Sequence, residues 1–85
     1  MLQHMKDELL ALLRCPETRQ PLSVADRALI ARLNAQVAAG ALRNTAGQGI
    51  VAQLEAGLVR ADGRALYPVR NGVPVLLVDE AIQLA

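Results

Sequence analysis

Two dipeptides in the last third of the chain, Asp62-Gly63 and Asn71-Gly72, constrain its fold more than any other feature. Each supplies residues that tolerate a positive φ, which tight hairpin turns require and most L-residues resist. They separate three stretches rich in Leu and Val, residues 57–60, 65–70 and 73–78, so the spacing predicts a three-stranded antiparallel meander. Two prolines bear on the register. With Asn71-Gly72 as a two-residue turn, Arg70 pairs with Val73 and Pro68 faces Val75 at a hydrogen-bonded position, where its missing N–H costs a ladder bond. Pro74 then points its absent donor outward. A four-residue loop exchanges the two roles, so in either register the hairpin has an interrupted or exposed edge.

Upstream the period is helical. Leu2, Met5, Leu9, Leu12 and Leu13 recur at spacings of three and four, which predicts an N-terminal amphipathic helix over residues 2–13 that Pro16 brings to an end. Residues 15–19 read as a tight polar loop and 20–24 as a short extended piece. Leu29, Ile30, Leu33 and Val37 give a second apolar face that stops at Gly40, predicting a helix over 26–39. The composition of residues 41–49 predicts a mobile loop, residues 51–56 one helical turn, and residues 79–84 a short terminal helix capped by Asp79.

At 85 residues and 9.1 kDa this is one small domain, residues 1–85, with 25–56 as a helical and loop insertion within it. The expected class is α+β. Apolar residues make up 53%, but with no Phe or Trp and a single Tyr the core rests on 15 Leu, 8 Val and 3 Ile. Nine basic residues against eight acidic ones, scattered singly, form no stripe for a DNA duplex. Tyr67 is the only ring on which a base could stack, which disfavours RNA as a direct ligand too. The longest strongly apolar stretch, residues 73–78, is far below the roughly 20 residues needed to cross a bilayer. Lys6, Asp7 and Glu8 break up any leader-like run, so a cytoplasmic location is expected.

Cys15-Pro16 is the one local hint of chemistry, since a Cys-Pro-x-Cys turn is half of many zinc sites. Position 18 is Thr, and His4 and scattered carboxylates do not make up four ligands. No metal, cofactor or catalytic constellation is expected, and the chain is not expected to be an enzyme. Val73-Pro74-Val75-Leu76-Leu77-Val78 is more informative, because both faces of such a strand are apolar and both need cover. Either helices of the same chain supply it or a partner protein does.

Leu9-Leu10-Ala11-Leu12-Leu13-Arg14-Cys15-Pro16 with Pro21-Leu22, and Tyr67-Pro68-Val69-Arg70-Asn71-Gly72-Val73-Pro74-Val75-Leu76-Leu77 with Asp79-Glu80-Ala81, resemble the Trm-one-one-two-like family of small methyltransferase-activator subunits. The likeness covers residues 9–24 and 57–84. It implies a zinc-ribbon-like core. Zinc-binding members carry Cys where this chain has Cys15, Thr18 and Val59 or Arg60, so the ligand set is lost. The second helix is a candidate replacement for the metal. A structural zinc contributes about 10–16 kcal/mol, and burying Leu29, Ile30, Leu33 and Val37 contributes roughly 6–12 kcal/mol before ordering entropy.

The resemblance further implies a non-catalytic adaptor or activator of a partner protein, a methyltransferase, with Tyr67, Pro68, Val73, Pro74, Val75, Leu76, Leu77 and Val78 as the contact surface. The alternative is an RNA- or ribosome-associated module using Arg60, Arg64 and Arg70, which would line one end of a hairpin and give salt-dependent binding.

Overall fold

The protein is described by a computed structural model over residues 12–84. Asn71 and Gly72 adopt φ of 53° and 76°, the pair of left-handed conformations that a two-residue hairpin turn demands. They join β3 (Ala65–Arg70) to β4 (Val73–Pro74) with Arg70 opposite Val73 and Val69 opposite Pro74. The Val75 N–H donates to the Pro68 carbonyl at 2.8 Å, and Pro68 has no N–H with which to answer. Pairing stops there, so the third strand expected over 73–78 is a two-residue stub. The chain leaves the sheet, passes through a 3-10 turn (Val78–Glu80), and returns to the same edge of β3 as β5 (Ile82–Gln83), with Ile82 opposite Leu66. A terminal helix over 79–84 does not form. Six residues give too few helical bonds to offset nucleation, while the free edge at Leu66 offers ladder bonds, and the Leu84 N–H adds one to the Arg64 carbonyl at 3.0 Å.

On its other side β3 pairs with β2 (Ala56–Arg60), and β2 pairs with β1 (Leu22–Val24), all antiparallel. The Asp62-Gly63 turn is closed by the Gly63 N–H on the Arg60 carbonyl at 2.8 Å, with Gly63 at φ 73°. The expected fold class therefore needs correction. The described residues form a five-stranded antiparallel sheet in the order β1-β2-β3-β4, with β5 also on β3, and one complete α-helix. The three-stranded meander is only the middle of it, because an edge strand from residues 22–24 and a returning strand from 82–83 extend it. The N-terminal helix expected over 2–13 lies outside the described residues but for its last two positions.

The helix, α1 (Arg27–Ala38), forms where the periodicity put it. The Asp26 carboxylate accepts the Leu29 N–H at 2.8 Å, capping one of the free first-turn donors. At the other end Gly40, at φ 71°, donates to the Val37 carbonyl and Ala41 to that of Gln36, a Schellman ending. Of its apolar face, Leu33 and Val37 are buried and Leu29 and Ile30 half-buried, packed with Leu66 and Ile82 of the sheet. Gly57 makes room for the Leu66 side chain, which a Cβ there would meet at 2.7 Å. The opposite face of the sheet, Leu22, Leu58, Tyr67 and Val69, packs with Cys15 and Ala81.

Two more expectations are corrected. Residues 51–56 form no helical turn, because the Asn34 side chain takes both backbone groups of Leu54: its Oδ1 accepts the Leu54 N–H at 2.7 Å and its Nδ2 donates to the Leu54 carbonyl at 3.0 Å. The loop expected to be mobile folds into a small hairpin. Arg43 bridges Gly49, Ile50 N–H donates to Leu42, and the Asn44 side chain accepts the Gln48 N–H at 3.0 Å.

Candidate functional site

Two places carry chemistry worth weighing, one at each end of β3. At the first, the chain turns back on itself between Cys15 and Gln20. The Cys15 N–H donates to the Gln20 carbonyl at 2.9 Å and the Arg19 N–H to the Cys15 carbonyl at 2.7 Å, with Arg19 forced to φ 63°. The turn is docked onto the β2–β3 turn by Gln20, whose amide exchanges two bonds with Asp62, at 3.2 and 3.0 Å.

Inside this turn the Cys15 side chain is fully buried, its Sγ 3.0 Å from the Tyr67 Oη. Burial pushes the thiol up, but hydrogen bonds to the sulfur from the Thr18 side chain, Tyr67 and the backbone of Thr18 and Glu17 outweigh it and bring it down to about 6. A lowered thiol favours the thiolate, with the Tyr67 phenol as its donor. Burial, then the hydrogen bond to Cys15, holds Tyr67 well above the usual phenol range. Arg60 faces the same sulfur and is anchored by Asp62 at 2.8 Å and Glu17 at 3.5 Å. Its hydrogen bond draws Asp62 down to about 2.

This arrangement does not fit the zinc that zinc-binding members of the resembled family carry. Arg60, at one of the two candidate positions for a later ligand, brings a cation against the sulfur, and Thr18 brings a hydroxyl. No group of three or more His, Cys, Asp or Glu among the described residues could hold a metal. The sulfur is buried beneath the Tyr67 phenol and faces the Arg60 guanidinium. No sequence signal links Cys15 to Tyr67 or Arg60, since the contacts form only when the hairpin and the Cys15 turn dock.

At the other end lies the apolar rim. Val73 and Leu77 each keep 61% of their surface exposed, while Pro74, Val75, Leu76 and Val78 are half-buried and Leu76 packs on the Cys15 and Tyr67 face. Tyr67 and Pro68, expected on the contact surface, are instead sealed within the sheet and must be removed from it. Both belong to β3, which has β2 on one edge and β4 and β5 on the other. In the observed register the backbone of Pro74 points away from β3 and has no N–H to offer, which blunts this edge for an added strand.

The arginines of the alternative reading do not share a hairpin end. Arg60 is bound by two carboxylates, and Arg64 and Arg70 flank β3 at opposite ends, roughly 20 Å apart at strand rise. No helix of the described residues is long and apolar enough to cross a membrane.

Fold and rim together define a small sheet-and-helix domain with an apolar edge. No family model matches the chain, and no curated protein matches it. The solution NMR structure of a protein from Xylella fastidiosa is similar to it with a TM-score of 0.74 and 33% identity, over 93% of this chain and 81% of that one. The chain belongs to the same family as that protein.

Proposed function

We propose that this chain is a non-catalytic adaptor that binds a partner protein by burying the side chains of the rim, Val73, Pro74, Val75, Leu76, Leu77 and Val78. The observation that carries the reading is the exposure of Val73 and Leu77 on an edge whose Pro74 lacks a donor. Burying two such side chains contributes about 1.5–3 kcal/mol each, and on a proline-blunted edge side-chain burial is favoured over strand addition. The resemblance to methyltransferase activators makes a methyltransferase the partner of first choice. The buried thiolate has a structural part only.

Affinity purification from native cells tests this, with the bound protein identified. A methyltransferase retained by the natural chain and lost with Leu77→Asp is the expected result. Leu77 is the better site for the charge, because Leu76 also packs on the core. Capture of RNA alone, or a retained protein indifferent to Leu77→Asp, would overturn the proposal.

A further inference from the structure

Beyond β4 the rim, Val75 to Val78, rides on residues 75–81, an arch fixed to β3 at its two feet by Val75 on Pro68 and Ile82 on Leu66. Between the feet the 3-10 turn closes only two bonds of its own, Glu80 N–H to Leu77 and Ala81 N–H to Val78. So short a turn leaves its last carbonyls without internal partners. The hairpin over residues 43–49 supplies them. The Thr45 N–H and Oγ1 both donate to the Ala81 carbonyl at 2.8 Å, and the Ala46 N–H donates to that of Asp79 at 3.2 Å. The Gln83 Nε2 donates in turn to the Thr45 Oγ1 at 3.1 Å. One hydroxyl thus joins the hairpin, the 3-10 turn and β5.

We propose that the 43–49 hairpin is a strap that holds the apolar arch in its docking geometry, with the Thr45 hydroxyl as the positioning group. The proposal rests on the adaptor reading of the rim. The strap keeps its own shape by bonds that do not involve the arch: Asn44 N–H to the Gln48 carbonyl, Gln48 N–H to the Asn44 Oδ1, and Arg43 Nη1 to the Gly47 carbonyl. Thr45 is exposed and belongs to neither hydrophobic cluster. Its hydroxyl can therefore be removed without opening the core, and the loss falls on the arch.

Residue-resolved hydrogen exchange of the full chain provides the test, comparing Thr45→Val, which keeps the shape and loses the hydroxyl, with Thr45→Ser, which keeps the hydroxyl. Thr45→Val is expected to speed exchange of the Glu80 and Ala81 amides about five- to tenfold, the size of one net hydrogen bond, and to leave the β2–β3 ladder unchanged. Thr45→Ser is expected to exchange like the natural chain. Unchanged arch amides in Thr45→Val, an equal rise across the β2–β3 ladder, or a Thr45→Ser as fast as Thr45→Val would each overturn the strap. Its bearing on docking is tested with the methyltransferase captured above, for which Thr45→Val should weaken binding. Equal binding with a loosened arch would overturn the docking role. Indifference to Leu77→Asp removes the adaptor reading and the docking role with it, while the hydrogen-exchange result decides the strap by itself, so the two failures are distinct.

Discussion

The Cys15 sulfur and the Tyr67 hydroxyl meet at 3.0 Å across 52 positions of chain, and this contact joins the Cys15 turn to the central strand of the sheet. Replacing Tyr67 by Phe keeps the ring that fills the core and removes only the donor. The Cys15 thiol should then titrate higher, toward its ordinary value of 9.0, followed by the ultraviolet absorbance of the thiolate. Denaturant unfolding should show a loss of about 1–3 kcal/mol for a charge-assisted bond. An unshifted titration would mean that the phenol is not the thiolate's donor.

The same thiolate makes stability depend on pH in an unusual direction. The folded thiol ionises near 6 and the unfolded one near 9.0. The stabilisation it brings is fully present above the unfolded value and is lost as pH falls through the folded one. Stability should therefore rise between about pH 6 and pH 9. Tyr67 acts in the opposite sense: its raised ionisation costs stability only as pH climbs past the ordinary phenol value of 10.0. Thermal melts of the natural chain and of Cys15→Ser check this, since the rise should be absent from the variant.

Arg60 against the sulfur leads to an expectation about metal. Purified protein should carry no stoichiometric zinc, and its melting midpoint should be the same in strong chelator. Zinc bound one to one, or unfolding by chelator, would show that the guanidinium does not occupy the place of a cation. The relevant measurements are elemental analysis and a thermal melt.

These contacts mark where the sequence was legible and where it was not. The helix α1 could be read because Leu29, Ile30, Leu33 and Val37 share a face, with Asp26 and Gly40 at its ends. Asn71-Gly72 marked the turn but left two registers open, and the structure takes the two-residue one, which puts the missing bond at Pro68. Where the chain went after that missing bond was not local information. Ile82 reaches Leu66 because an edge was left open far back in sequence, and an isolated apolar segment reads the same whether it will be a short helix or a returning strand. The apolar run around Tyr67 and Pro68 likewise gave no sign that both faces of β3 would be covered. The 73–78 run could be read as apolar on both faces, but not that β4 would end at Pro74 and leave Val73 and Leu77 as its exposed members.

Arg19 carries a strain that can be relieved. It is exposed and held at φ 63°, a region costly for a residue with a Cβ. Arg19→Gly removes that cost while adding freedom to the unfolded chain, so the two effects partly offset. A net stabilisation of about 0.5–1 kcal/mol is expected from denaturant titration. A loss instead would show that the Arg19 side chain makes a contact worth more than the strain.

Asn34 offers the sharpest test of what holds α1 to the sheet. Its amide behaves like a backbone unit, accepting from the Leu54 N–H and donating to the Leu54 carbonyl, so it pins the segment that leads into β2. Asn34→Asp keeps the size and the acceptor but removes the donor and sets a carboxylate against a carbonyl oxygen. The group is half-buried, so water can compensate only in part. A loss of about 1–3 kcal/mol is expected, the cost of leaving a partly buried carbonyl without its partner. Because protonation restores the donor, most of that loss should be recovered as the carboxylate is titrated, in melts taken from neutral pH down to about pH 4. A variant that stays as unstable in acid as at neutrality, relative to the natural chain, would show that the Leu54 carbonyl does not depend on the Asn34 donor.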